Sequence, residues 1–158
     1  MGKKKNHIEV LVVSSRPFVR KRIISTLSGE EEISAEGEAS NIFELGQCIA
    51  KHNPNIVIVN DDDKGISSLE AIELINQETR NAKILLLIKN YDEKKELTAL
   101  KMGVKGFLPE SVEKADFVKC IRAISNGEMW VRRRVMEKLI QQLLNRTGSN
   151  NLSGQTIK

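Results

Sequence analysis

The stretch Ile56-Val57-Ile58-Val59 is the clearest indicator of fold class in this chain, because four apolar residues follow one another. A strand that is apolar on both faces is typical of the centre of a parallel sheet, where helices cover both sides. The run Ile84-Leu85-Leu86-Leu87-Ile88 has the same character. We therefore predict two central strands of a parallel sheet at these positions.

Strand-like and helix-like segments alternate on both sides of these two runs. Short runs rich in β-branched or apolar residues predict further strands at residues 8–13, 33–37 and 104–108. Apolar residues at helical spacing predict helices at residues 17–27, 42–49, 69–75, 92–102 and 117–124. This alternation predicts an α/β fold with a doubly wound, five-stranded parallel sheet, whose functional sites lie beyond the carboxyl ends of the strands.

The composition of the 158 residues limits the class of protein. The hydrophobic content of 40% is close to the globular norm of roughly 45%. The net charge of +4 is too small to indicate nucleic-acid binding by itself. No apolar run approaches the roughly 20 residues that span a bilayer, and Cys48 and Cys120 lack metal-ligand spacing. We therefore expect a cytoplasmic protein with no membrane partner.

A different pattern begins after Gly127, where apolar residues mark one side of a sixth helix. These residues are Val135, Met136, Leu139, Ile140, Leu143 and Leu144. An apolar stripe needs a partner surface, which is either another part of the protein or a second copy of the chain. The predicted division of the chain is a basic tail at 1–7, a domain at 8–127, a linker helix at 128–146 and a linker at 147–158.

Motifs in four regions stand in a fixed order along the chain. They are residues 10–13 with 16–20, residues 54–59, Gly65 with residues 69–71, and residues 99–108. Together they resemble the receiver domain of two-component response regulators of the LuxR/NarL type, over residues 8 to about 127. The resemblance implies a CheY-like, flavodoxin-like fold with an extra C-terminal helix. It also implies that Leu152-Ser153 opens a helix-turn-helix domain that is absent from this chain.

Receivers of this family use five positions for phosphoryl transfer, and the resemblance assigns a residue of this chain to each. The two adjacent acids that hold Mg²⁺ correspond to Ser14 and Ser15. The phosphorylated Asp corresponds to Asn60. The Thr or Ser that ends the fourth strand corresponds to Ile88, and the Lys after the fifth strand corresponds to Glu110. All five positions therefore depart from the family pattern.

These departures remove the chemistry of phosphoryl transfer. The amide of Asn60 cannot form an acyl phosphate, and serine hydroxyls lack the negative charge that attracts Mg²⁺. Ile88 offers no hydroxyl. Glu110 reverses a charge, which at ~4 Å and an effective dielectric near 20 turns roughly 4 kcal/mol of attraction into repulsion. Phe107, at the family's aromatic switch position, completes a degenerate site for which we expect no cofactor and lost or weak Mg²⁺ binding.

Two alternatives stay open for this site. If the register of the third strand shifts, Asp61 or Asp62 becomes the acceptor or a weak metal ligand. Gly65 favours Asn60, because the family places a glycine five residues after its acceptor. The segment Ser14-Ser15-Arg16 also precedes a helix, where free N–H groups and hydroxyls are able to hold an anion.

The function predicted from the sequence is that of an atypical receiver domain in a LuxR/NarL-type transcriptional regulator. It acts without phosphorylation, through a protein partner or homodimerisation, and DNA is bound only through a domain absent from this chain. We expect no enzymatic activity, because no nucleophile and base pair stands at the strand ends. The alternatives are a stand-alone signalling adaptor and a small-molecule-binding flavodoxin-like module.

Overall fold

The fold is built from five strands and six helices within the part of the chain that the structure, a computed structural model, describes. That part comprises residues 7–62 and 64–157, with side-chain surroundings described as far as residue 147. The strands are β1 (Ile8–Val13), β2 (Ile33–Ala39), β3 (Ile56–Asn60), β4 (Lys83–Ile88) and β5 (Gly106–Pro109). The helices are α1 (Pro17–Leu27), α2 (Ile42–His52), α3 (Ser68–Glu78), α4 (Glu93–Lys101), α5 (Lys114–Ser125) and α6 (Arg133–Ile157).

All five strands are parallel and stand in the order β2-β1-β3-β4-β5. This order confirms the predicted doubly wound sheet, with the chain reversing direction across the sheet between β1 and β3. Because the strands are parallel, all their carboxyl ends lie along one edge. In such sheets this edge, near the reversal point, is where ligands bind.

Two apolar layers enclose the sheet, and β3 contributes to both. Val57 and Val59 pack into the layer with α2, α3 and α4, whereas Ile56 and Ile58 pack into the layer with α1 and α5. All four side chains are fully buried. The predicted burial of β3 on both faces is therefore confirmed.

Local sequence explains where the helices begin. The side chains of Asn41, Ser67 and Asp92 each accept a hydrogen bond from the backbone N–H three residues later, at the starts of α2, α3 and α4. Such caps satisfy one of the free N–H groups in a first helical turn. Pro17 occupies the first turn of α1, where its missing N–H costs no hydrogen bond.

The predicted start of the fifth strand at residue 104 is wrong by two residues. The backbone N–H of Val104 donates to the carbonyl of Ala99, so this residue still belongs to the exit from α4. The strand begins at Gly106, where Trp130 forms a parallel bridge alongside it. Trp130 donates to the carbonyl of Lys105 and accepts from the N–H of Phe107.

The same bridge explains why the predicted start of the sixth helix at residue 128 is also wrong. Residues that pair along β5 cannot be helical, so α6 begins only at Arg133. Its backbone then stays helical to Ile157, through the segment 147–157 that the sequence predicts as a linker. Once a helix has formed, each added residue contributes one hydrogen bond, and this gain offsets the free energy cost of residues with low helical propensity. The division into functional segments stays a prediction.

Ion pairs join α6 to α4. Nη2 of Arg132, one residue before α6, lies 2.8 Å from Oε2 of the buried Glu96. The guanidinium carbon of Arg132 also lies 4.2 Å from the centre of the Tyr91 ring. Glu93 pairs with Lys138 at 3.2 Å. The first turns of α6 are therefore fixed to the domain by charge as well as by apolar contact.

The apolar stripe of α6 divides into a covered and an uncovered part. Val135 is buried in the core, and Met136 and Leu139 pack against it. Further along the helix, Ile140, Leu143 and Leu144 are exposed. Within the described residues, no helix is long and apolar enough to cross a membrane.

We predict that replacing Ile72 by Ala lowers the free energy of unfolding by about 2–5 kcal/mol, because this fully buried side chain of α3 would leave a cavity. The matched control is Leu69→Ala on the same helix, whose side chain is 38% exposed and should cost about 1 kcal/mol or less. Urea denaturation measures both values. Equal losses in the two variants would contradict the packing described here.

Candidate functional site

Three of the predicted site residues meet at the carboxyl edge of the sheet. Ser14 follows β1, Asn60 ends β3 and Glu110 follows β5. Ser14 Oγ donates to Asn60 Oδ1 at 3.0 Å, and Asn60 Nδ2 donates to Glu110 Oε2 at 2.6 Å. A chain of hydrogen bonds thus crosses the edge of the sheet from β1 to β5.

The side chain of Arg16 lies at the centre of this group. Its Nη2 donates to Asn60 Oδ1 at 3.0 Å and to Glu110 Oε2 at 2.7 Å. Its Nε lies 3.3 Å from Asp62 Oδ2. Arg16 is the residue immediately before α1, and Pro17 after it fixes the direction in which the helix leaves β1. The guanidinium therefore pairs with carboxylates from two different loops.

The loop after β3 packs closely against the end of β1. Ser15 Oγ lies within hydrogen-bonding distance of Asp62 Oδ2, at 3.3 Å. A Cβ atom at Gly65 would overlap the Ser15 hydroxyl, so this position accepts only glycine without a shift of the loop. Asp61 points to a different partner, because its Oδ2 lies 2.6 Å from Nζ of Lys95 on α4.

The charged side chains of the site pair with one another, one guanidinium with two carboxylates. Arg16 faces Asp62 and Glu110, whose side chains are only 9% and 17% exposed. The pKa of Asp62 is lowered, chiefly by the hydrogen bond from the backbone N–H of Lys64 and further by the Arg16 guanidinium. A divalent cation at Asp62 would have to compete with a guanidinium that is already in place.

Besides Glu110, the predicted switch positions are Ile88 and Phe107. Ile88 is the last residue of β4, and Phe107 is the second residue of β5. Both side chains are buried and belong to the same apolar layer. In this structure the Phe107 ring therefore points into the protein and not towards solvent.

The structure brings Ser14, Ser15, Asn60, Asp62 and Glu110 together, as positions at neighbouring strand ends should be. Sequence reasoning missed the central role of Arg16, which it considered only as part of an anion site. The signal was present in the charges, because Glu110 and Asp62 at one sheet edge require a cation nearby. The anion alternative loses support, since Arg16 already faces two carboxylates.

We predict that Arg16→Met lowers the free energy of unfolding by about 1–3 kcal/mol, because it leaves two largely buried carboxylates without their shared cation. The matched control is Arg133→Met, whose side chain is 91% exposed and should change stability by less than about 0.5 kcal/mol. Chemical denaturation measures both. Adding Glu110→Gln to Arg16→Met should recover part of the loss, and an additive double variant would argue against coupling of the two side chains.

We also predict that Asp62 contributes to the acid sensitivity of the protein. An unfolded Asp titrates near about 3.9, and the folded pKa of Asp62 is lower. As pH falls, the unfolded state takes up this proton first, so the free energy of unfolding should decrease between about pH 5 and pH 3. Asp62→Asn should flatten that decrease, whereas Asp116→Asn at an exposed position of α5 should not. Denaturation curves at several pH values test this, and parallel profiles would contradict it.

Comparisons with known proteins agree with the fold and the motifs, although no family model matches the chain. The transcriptional regulatory protein LiaR of Bacillus subtilis is 25% identical over 150 residues, which cover 95% of this chain and 71% of LiaR. The nitrate/nitrite response regulator NarL of Escherichia coli is 24% identical over 120 residues, or 76% of this chain. The match spans little more than half of NarL, namely 56% of its length.

Solved structures show the same fold. The isolated REC domain of RcsB from Salmonella enterica serovar Typhimurium, determined with the phosphomimetic BeF3-, superposes with a TM-score of 0.70 at 20% identity. That superposition covers 84% of this chain and 98% of the RcsB domain. A structure of two RcsB dimers bound to two parallel DNAs matches with a TM-score of 0.72 at 20% identity, over 85% of this chain and 68% of that one. The chain thus has the fold of a CheY-like receiver domain, and its sequence relatives are response regulators of the LuxR/NarL type.

Proposed function

We propose that this chain is a receiver domain that works without phosphorylation, as part of a LuxR/NarL-type transcriptional regulator. The observation that supports this most directly is the pairing of Arg16 with Glu110 across Asn60. These side chains stand where the family resemblance puts the phosphorylated Asp and its neighbours. Arg16 supplies the cation that pairs with Glu110 from the protein itself, so this contact needs neither a phosphoryl group nor a metal ion.

The acceptor position argues against phosphoryl transfer on two grounds. Asn60 carries an amide, which is not a nucleophile of the kind that forms an acyl phosphate. Its polar atoms are also engaged, because Oδ1 accepts from Ser14 and Arg16, and Nδ2 donates to Glu110. A phosphoryl group would have to displace these bonds and then face the Glu110 carboxylate.

The residues at the metal position are also unsuited to binding Mg²⁺. A hard cation needs oxygen ligands that are free to bind it, usually carboxylates and waters. Besides Glu110, the acids that the structure describes in the site are Asp61 and Asp62, and each already has a basic partner, Lys95 and Arg16 respectively. We therefore propose that Mg²⁺ binding is weak or lost, and that Asp61 and Asp62 serve the loop's own structure.

The output of such a domain has to come from contacts with other proteins. Receivers act through an equilibrium between two states of the surface around α4, β5 and α5, and a ligand shifts it only by binding one state better. Here the buried Ile88 and Phe107 fix one arrangement from within. We propose that a protein partner or a second copy of the chain provides the input. DNA would be bound by a separate domain of a longer regulator.

The relatives are signalling regulators by name, which supports a non-enzymatic role for this chain as well. A stand-alone adaptor and a small-molecule-binding module remain alternative predictions. No contact among the described residues favours either of them over the regulator.

We predict that neither Mg²⁺ nor Mg²⁺ with beryllofluoride produces saturating amide shifts at Ser14, Asn60 or Glu110 in a two-dimensional NMR titration. The RcsB REC domain serves as the reagent control, because its structure has been determined with the phosphomimetic. As a matched variant, the chain with Asp at 14, 15 and 60, Thr at 88 and Lys at 110 should respond. Saturating shifts at Asp61 or Asp62 in the unaltered chain would mean that these acids have taken over the site, and would overturn the proposal.

A further inference from the structure

A second group of polar side chains lies near the amino ends of the strands, on the far side of the sheet from the candidate site. It consists of Glu9 on β1, Glu36 on β2 and His52 at the end of α2. One carboxylate oxygen of each Glu and one ring nitrogen of His52 all lie within 4.8 Å of one another. Three separate elements therefore direct potential metal ligands to one point. The candidate site at the carboxyl ends of the strands does not include any of them.

An irregularity in β2 brings Glu36 into this group. Glu9 pairs with Ser34 and Leu11 pairs with Gly37, so Ala35 and Glu36 together stand opposite Val10. Such a bulge interrupts the alternation of side chains and changes the direction of one of them. Ala35 packs into the layer beneath α1 and α5, and Glu36 joins Glu9 on the side covered by α2.

Gly37 lets the ring of His52 pack closely against β2, because glycine has no side chain. A Cβ atom there would lie 3.0 Å from Cδ2 of His52 and 2.6 Å from a methyl group of Leu11. A larger residue there would require the ring or the Leu11 methyl group to shift. The absence of a side chain at Gly37 thus leaves room for the nitrogen donor of the group close to the strand.

The charge of the group is not balanced by basic side chains within the described residues. There, the basic group closest to Glu9 is the imidazole of His7, whose Nε2 lies 3.5 Å from its Oε1, and Glu36 forms no ion pair. His52 is also the last residue of α2, and the partial negative charge at a helix C-terminus favours a cation nearby. Two carboxylates beside a helix C-terminus make a site that is electrostatically suited to a divalent cation.

We infer that Glu9, Glu36 and His52 bind a divalent transition-metal ion of the Zn²⁺ class. Imidazole nitrogen together with carboxylate oxygen is a donor set typical of Zn²⁺, with metal–ligand distances of about 2.0–2.2 Å. Ligands around a tetrahedral ion at such distances are about 3.4 Å apart. The ligand atoms, which lie within 4.8 Å of one another, would have to move closer together around the ion. Water would fill the fourth position.

Zinc bound at this point would join the edge strand β2 to β1 and to the end of α2. Its role would therefore be structural, or sensory if metal availability changes. The site lies at the amino ends of the strands, away from Arg16 and Asn60. It is independent of the proposed function, and either can fail without the other.

The test is a calorimetric titration of the tag-free full chain with Zn²⁺. We expect one ion per chain, with affinity reduced at least about ten-fold in His52→Ala and in Glu36→Gln, since even the loss of residues that only orient ligands costs 10–100-fold. Glu70→Gln, at an exposed position in the first turn of α3, is the matched control and should bind as the unaltered chain does.

Two further measurements on the unaltered chain test Zn²⁺ binding even if a variant folds poorly. Saturating Zn²⁺ should raise the thermal midpoint of the unaltered chain by several degrees, since a ligand that binds the folded state stabilises it. Co²⁺ should give a visible absorption spectrum that Zn²⁺ abolishes by competition. No binding near one ion per chain, or equal binding by the unaltered chain, His52→Ala and Glu36→Gln, would overturn the inference.

Discussion

The contact between the Arg16 guanidinium and the carboxylates of Glu110 and Asp62 organises the carboxyl edge of this sheet. A parallel sheet brings the ends of β1, β3 and β5 to one place, so the side chains that follow them share one environment. Carboxylates that are mostly withdrawn from water need a partner there, because an unpaired buried charge is costly. Arg16 provides it from the turn into α1. Ser14 and Asn60 then complete the hydrogen bonds that this arrangement leaves open.

Another arginine forms a similar contact beside β5. Arg132 pairs with the buried Glu96 of α4 and lies over the Tyr91 ring, directly after the residues that run along β5. The two arginines have related roles, since each neutralises acids contributed by elements distant in sequence. Between them lie Ile88 and Phe107, which are held by apolar packing alone. The Arg16 and Arg132 ion pairs are thus present together with the buried Ile88 and Phe107 in this arrangement.

The sequence allowed the fold to be predicted because its signal is local. The two-sided apolar character of β3 and β4 and the alternation of elements along the chain need no knowledge of distant residues. The proximity of Ser14, Asn60 and Glu110 could also be predicted, because the carboxyl ends of parallel strands lie along one edge of the sheet. The position of Arg16 between Asp62 and Glu110 did not, since it depends on contacts across 46 and 94 residues of sequence. The start of α6 was missed for the same reason, because the bridge between Gly106 and Trp130 is long-range. The start of β5 was missed because Val104 still bonds to the last turn of α4.

The bridge at Trp130 also affects how the molecule meets other copies of itself. An edge strand exposes unpaired backbone groups to which a foreign strand can bind, and proteins protect such edges with covering segments, charges or bulges. On the β5 side, the chain covers its own edge at Gly106. On the other side, β2 carries Glu36 and Glu38 and is irregular opposite Val10. Both outer strands of the sheet are therefore poorly suited to pairing with a strand of another molecule. This arrangement protects an otherwise very apolar sheet from aggregation.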